Sequence, residues 1–268
     1  MAISVVMPVW NMSGFLERSV RSVLNQTYRD FELIAVDDGS TDDTANILLR
    51  IAAGDPRVRV ISQKNSGIVR ALNRGIEEAR YEYVARADGD DLYEPERFAV
   101  QTSYLDSHAD VGLVCCNYDL SYPDGTRVRK ILPEGHRELL RILMRRNDIM
   151  HSSVMMRRSS LIEAGCYLEK WRHLEDYELW FRLARRTKLA CVPNVLATYR
   201  MHPGGISQTK ELYQVRGGVA VRLREIVQGH VPISWARFMA PHLVKAIIPS
   251  DVLRWFRRLH GKSKGLIQ

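Results

Sequence analysis

Four short runs of aliphatic and β-branched residues, separated by three stretches with helical periodicity, fill the first ninety residues of the chain. The runs are residues 3–9 (ISVVMPV), 31–36 (FELIAV), 58–62 (VRVIS) and 81–87 (YEYVARA), and each reads as a strand. Between them Leu16, Val20, Val23 and Leu24, then Ile47, Leu48 and Ile51, then Ile68, Leu72, Ile76 and Ala79 share helix faces. Ser13 is expected to cap the first helix, and Ser40 or Thr41 the second. Strands alternating with helices argue for an α/β fold around an open, mostly parallel sheet. Such sheets bind ligands at the carboxyl ends of their strands.

The second half is less regular. Residues 111–118 (VGLVCCNY) predict a strand, Asp124 and Gly125 a turn, 136–144 a helix and 151–156 (HSSVMM) a further strand. Another helix begins near Glu175 and Asp176 and should bury Tyr177, Trp180, Phe181 and Ala184. With 268 residues, 46% of them hydrophobic, the chain has ample material for a core. Its formal net charge of +8 is unevenly spread. Residues 231–268 hold seven Lys and Arg against the single acid Asp251, so the body is nearly balanced and nucleic acid is not an expected partner. Cys115, Cys116, Cys166 and Cys191 form no CxxC pair and no zinc-ligand spacing, which fits a reducing cytoplasm. The opening MAISVVMPVW lacks a basic n-region and reads as a strand, not a signal peptide. No apolar run approaches the ~18 residues of a membrane span.

Carboxylates crowd the strand ends. Asp37 and Asp38 follow the second strand in VDDGSTDDT, where a turn with helix-capping side chains accounts for them equally well. Asp88, Asp90 and Asp91 follow the fourth in ARADGDDLY and would repel one another unless a cation were shared. Asp88 and Asp90, separated by one small residue, can turn to the same side and offer hard oxygen ligands to Mg²⁺ or Mn²⁺. A calcium EF-hand loop fails at its fifth and sixth positions, here Leu92 and Tyr93. Glu175 and Asp176 stand at a helix start, where the helix dipole also favours acids, so capping and catalysis are both open.

Taken in order, VVMPVWN, VDDGSTDDT, NSGIVRALNRG, ARADGDD, EDYELWFRL and YRMH resemble glycosyltransferase family 2, the inverting nucleotide-sugar transferases with a GT-A fold. The set spans about residues 3–207. The resemblance implies a Rossmann-like central sheet flanked by helices, with a nucleotide-binding half (1–92), an acceptor-binding half (93–207) and a basic helical appendage (208–268). It implies that Pro8, Val9 and Trp10 line the base pocket with Asp38, Gly67 and Arg70, and that Asp88 reaches the ribose. Asp90 and His202 would serve the metal, Mn²⁺ or Mg²⁺. Asp176 would be the general base, with Glu175, His151 and Trp180 on the acceptor side. Trp10 stands where Tyr is commoner, and Gly67 where some relatives carry an Arg on the base; Arg70 is a candidate to replace it, against the simpler reading of a solvated helix face.

The chemistry so implied is a single displacement. Asp176, expected to ionise without unusual shift, would accept the proton of an acceptor hydroxyl attacking the anomeric carbon, and configuration would invert. The donor is expected to be a UDP-sugar and the acceptor a saccharide or lipid-linked saccharide, in surface polysaccharide synthesis. Two other readings stand beside it: a sugar nucleotidyltransferase using paired carboxylates on a metal, and a non-catalytic or regulatory binding protein on the same fold. A nicotinamide dehydrogenase is set aside because the first turn, WNMSG, lacks GxGxxG. After Pro249, Val252, Trp255, Phe256 and Leu259 share a helix side flanked by Arg254, Arg257 and Arg258. Such a segment suits the inner face of an anionic membrane, and it equally suits packing on the body or on a second subunit.

Overall fold

The computed structural model describes residues 1–204 and 211–240. The chain opens with the strand β1 (Ile3–Val9), the helix α1 (Leu16–Leu24), β2 (Phe31–Asp37), α2 (Thr44–Gly54), β3 (Val58–Ser62), α3 (Ile68–Glu78) and β4 (Tyr83–Arg86). All seven residues of β1 are buried because it is central, pairing in parallel with β2 on one side and β4 on the other. β3 extends the parallel set beyond β2. The helix α3 lies so close to β1 that a β-carbon on Gly75 would come within 2.5 Å of Val6 Cγ1.

The predicted caps take a different form. Phe15 occupies the N-cap of α1 and Asp43 that of α2, neither with a capping side-chain hydrogen bond. The polar residues instead join the two loops to each other: Asp42 Oδ2 accepts the Ser13 N–H at 3.1 Å, and Ser40 Oγ accepts the Asn11 N–H at 3.0 Å. A pattern read within one segment could not anticipate a partner 29 residues away.

The second half continues the same sheet. It comprises β5 (Leu92–Tyr93), α4 (Arg97–Ser107), β6 (Val111–Ser121), β7 (Arg127–Lys130), α5 (His136–Leu143), β8 (Met155–Arg157), α6 (Arg158–Glu163), α7 (Glu175–Ala184), β9 (Lys188–Arg200) and α8 (Glu211–Val227). Strand order is β3-β2-β1-β4-β8-β6-β9-β5, with β7 on β6. β8 enters antiparallel between β4 and β6, while β6 and β9 run parallel over their length. The strand expected over 151–156 is shorter: residues His151–Ser153 form a 3₁₀ turn, in which the Ser153 N–H and Oγ–H both reach Met150 O, and β8 starts only at Met155.

Beyond β9 the described residues pack back on the body. Glu178 and Arg182 of α7 meet Arg224 and Glu225 of α8 in a buried ion network, with Arg224 bonded to both acids. Trp235 and Met239 are buried, and the guanidinium of Arg141 lies over the Trp235 ring. Among the described residues no helix is long and apolar enough to cross a membrane. The amphipathic stretch after Pro249 lies outside the described residues.

Candidate active site

The acidic turn between β4 and β5 is built from both ends of the chain. β5 pairs with β9, so residues 200–202 arrive beside Asp90 and Asp91. Asp91 is fully buried; its Oδ1 accepts the Arg200 N–H at 3.0 Å and its Oδ2 the Ser152 hydroxyl. Asp90 Oδ2 lies 2.9 Å from His202 Nε2, and the His202 ring stacks at a tilt on Phe15. Asp88 is ion-paired with Arg86 at 2.6 Å, while its N–H donates to the Tyr93 hydroxyl. One carboxylate oxygen from each of Asp88, Asp90 and Asp91 falls within 4.8 Å of the others.

Electrostatics make this turn a fit for a hard cation. Burial raises the pKa of Asp88, Arg86 opposes the rise and Asp90 adds to it; burial and the charges of Asp90 and Asp88 push Asp91 well up. Three carboxylates with oxygens this close, two of them pushed toward the neutral form, suit a hard cation such as Mg²⁺ or Mn²⁺. Both oxygens of Asp91 are already committed to Ser152 and Arg200, so Asp90, with Asp88 and His202 beside it, is the ligand best placed to meet an ion.

Arg86 links this turn to the second acid pair. Its side chain is 2% exposed, with Nε unpartnered among the described residues. Its charge acts on Asp88, His151, Tyr167, Glu175 and Asp176 alike. Nothing in the motif reading singled it out, although an arginine inside the apolar run YVARA had to find a buried partner.

Glu175 and Asp176 are the first residues of α7, behind an N-cap contributed by Leu174. Asp176 accepts the Tyr177 N–H at 2.6 Å and Asn147 Nδ2 at 2.8 Å. Glu175 is 5% exposed and its Oε2 has no hydrogen-bond partner among the described residues. Burial, then the neighbouring charge of Asp176, pushes the Glu175 carboxyl up to about 7. Burial also raises Asp176, against the pull of Tyr177 N–H and Asn147, which corrects the expectation of an unshifted acid. That expectation missed the burial of the helix start.

His151 offers Nε2 to the Tyr167 hydroxyl at 2.7 Å, and burial drives its pKa well below the usual range, so it is neutral. Trp180 has none of its surface exposed and meets His151 edge-on at 5.8 Å. The helix pattern expects it to be buried, and it lies against the ring of His151, the other residue expected beside the acceptor.

A third group lies at the ends of β1 and β2. Pro8 and Val9 are buried in β1, paired with Val36 and Asp37, and Trp10 just beyond is 51% exposed. The buried Asp38 carboxylate holds the following loop in place, accepting Gln63 Nε2 at 2.8 Å, the Ser66 N–H at 2.9 Å and the Gly67 N–H at 2.8 Å. Gly67 has φ +93°, a conformation suited to glycine. Arg70 is exposed and ion-paired with Glu169 at 2.7 Å. The space over Gly67 is taken by Arg172, whose guanidinium carbon is 3.3 Å from where a β-carbon would stand. Neither Arg172 nor the tie of Asn73 to the Tyr167 backbone, at 2.9 and 3.0 Å, was visible in the motifs.

Comparison with known proteins gives a consistent picture. Residues 4–165 match the model of glycosyl transferase family 2, which is more than half of the chain. The amylovoran biosynthesis glycosyltransferase AmsE of Erwinia amylovora is 33% identical over 190 residues, covering 69% of this chain and 70% of AmsE. Among solved structures, S. aureus TarS 1-349 in complex with UDP-GlcNAc has a TM-score of 0.68 at 18% identity, over 82% of this chain and 66% of TarS. The mannosyltransferase PcManGT of Pyrobaculum calidifontis, in complex with GDP-Man and Mn²⁺, has a TM-score of 0.67 at 18% identity, over 99% of this chain and 81% of its own.

Proposed function

This chain belongs to glycosyl transferase family 2 and has the GT-A fold, and on that premise we propose that it moves a sugar from a nucleoside diphosphate sugar to an acceptor hydroxyl with inversion. One observation carries the reading: the acidic turn at 88–91 and the Glu175–Asp176 pair meet around the buried Arg86. Acids with raised pKa values gathered in one buried field are the pattern expected of a catalytic site.

The residues then divide the work. The donor's nucleoside is assigned to the pocket of Pro8, Val9, Trp10, Asp38 and Gly67, with Asp88 toward the ribose. A divalent ion held by Asp90, with His202 beside it, would neutralise charge on the departing diphosphate. Asp176, fixed in orientation by Asn147 and the Tyr177 N–H, accepts the proton of the acceptor hydroxyl as that oxygen attacks the anomeric carbon. Neutral His151, held by Tyr167, and Glu175 border the acceptor. The attack occurs opposite the leaving group, so no covalent sugar intermediate forms.

A UDP-sugar is the proposed donor, supported by the UDP-GlcNAc complex of TarS; the GDP-Man complex of PcManGT makes GDP-sugars the alternative to test. The role of AmsE in amylovoran biosynthesis supports a saccharide or lipid-linked saccharide acceptor in polysaccharide synthesis. The test is a panel of UDP- and GDP-sugars, scored for hydrolysis and thermal stabilisation with Mn²⁺ or Mg²⁺, on the native protein and Asp90→Ala. Stabilisation that needs the ion and disappears in the variant is expected. Indifference of the native protein to every sugar nucleotide, or full turnover by Asp90→Ala, would refute the reading.

A further inference from the structure

We infer that Arg172 is a specificity-determining wall of the nucleoside pocket, receiving the flat face of the donor's base; this rests on the donor reading above. The distances from the missing β-carbon of Gly67 to Arg172 are 3.3 Å to the guanidinium carbon, 3.4 Å to Nη2 and 3.6 Å to Nε. The carbon is the nearest of the three. An edge-on guanidinium would present its nitrogens first, so the group lies face-on over the glycine. One flat face is therefore applied to the Gly67 backbone and the other is turned away from it, in a residue that is exposed.

Three features make this an unusual cation. The one acid of the adjoining turn, Glu169, is paired with Arg70, and among the described residues the Arg172 side chain has no hydrogen bond or ion pair. Its position is nonetheless defined. The Arg172 N–H is bonded to Glu169 O, the loop is tied to α3 through Arg70 and Asn73, and Leu174 N–H closes the turn on Trp171 O. Gly67 itself is fixed from below by Asp38 Oδ2.

A planar, weakly hydrated cation with a free face is suited to stack on an aromatic plane and to donate from its edge to carbonyl oxygens. A nucleobase supplies both, a sugar neither. Gly67 is needed for the arrangement, because any side chain there would push the guanidinium off the backbone that seats it. The same loop runs on within three residues to Glu175, so Arg172 would tie recognition of the base to the position of the acid pair.

The test is calorimetric titration of the full chain with UDP, UMP and uridine, in the presence of Mn²⁺, for the native protein, Arg172→Ala and Arg172→Lys. Arg172 is on the surface, and matching thermal midpoints will show that the variants fold. Arg172→Ala should weaken all three ligands by the same factor, about 10- to 100-fold, as loss of a charged hydrogen-bonding partner implies. Arg172→Lys, which keeps the charge without the plane, should recover only a small part. Equal UDP affinity in native and Ala variants overturns the inference. So does a loss confined to UDP and UMP with uridine unaffected, which would assign the guanidinium to phosphate. If the native protein binds no nucleotide under any condition, the donor reading itself fails.

Discussion

Replacing Glu175 with Gln should stabilise this protein at neutral and alkaline pH, an outcome opposite to that of most substitutions at a buried polar position. Glu175 is 5% exposed, and burial followed by repulsion from Asp176 lifts its pKa from 4.5 to about 7. The folded state thus holds the proton more tightly than the unfolded chain. Stability contributed by the protonated form is fully present below about pH 4.5 and is lost as pH rises through about 7. The gap corresponds to roughly 3 kcal/mol of stability absent at pH 8. Gln never ionises, and it can keep the accepting oxygen of the side chain. At pH 8 the variant should melt roughly 6–12 °C above the native protein, whereas at pH 4.5 the two should coincide. Thermal denaturation followed by circular dichroism across pH 4.5–8, with chelator present to exclude metal, gives the difference directly. Parallel curves, or a variant less stable at pH 8, would refute the argument that this carboxylate is ionised at a cost.

Asp176→Asn should still bind the nucleotide sugar but transfer at least ~100-fold more slowly, the low end of general-base loss; near-normal transfer would make the residue structural. Arg86→Met should lower stability by roughly 3–5 kcal/mol in chemical denaturation, since Asp88 would lose its ion pair while the site stays enclosed; a neutral result would count against Arg86 as the link between the acid groups. Gly75→Ala should cost about 1–3 kcal/mol through pressure on Val6, and an unchanged midpoint would show that α3 can slide away from β1. Removing residues 241–268 should abolish sedimentation with anionic liposomes and leave nucleotide binding intact; full-length protein that ignores such liposomes at low salt excludes the membrane role.

The β-α alternation of the first ninety residues is legible because β1, β2 and β3 pair in parallel with near neighbours in the sequence and a helix follows each, although β4 also needs the distant β8 on its other side. Two of the acid groups stand out for a related reason, as carboxylates at strand ends against apolar runs, whereas Glu175 and Asp176 stand at a helix start, where capping accounts for acids equally well. What escaped was everything that depended on chain crossing chain. Ser13 and Ser40 were read as caps within their own segments, yet they bridge loops. The run at 151–156 looked extended, but two hydrogen bonds to Met150 O curl its first half into a turn. The sequence at the start of α7 carries no signal for the burial that raises Asp176. Trp180 follows the helix pattern, which carries its burial but not its edge contact with His151 from another segment.

Asp91 and Arg200 stand 109 positions apart and are bonded to each other. Synthesis proceeds from the amino end, so a growing chain can assemble β1 to β4 long before β9 exists. During that interval the acidic turn lacks both the Arg200 N–H that anchors Asp91 and the His202 ring beside Asp90. Closing so long a loop is a slow, late event. Half-made chains and carboxy-terminal truncations ending before residue 200 would therefore carry every acid of the turn without the contacts that hold it, and on the donor reading proposed above, hydrolysis of a sugar nucleotide would report complete folding.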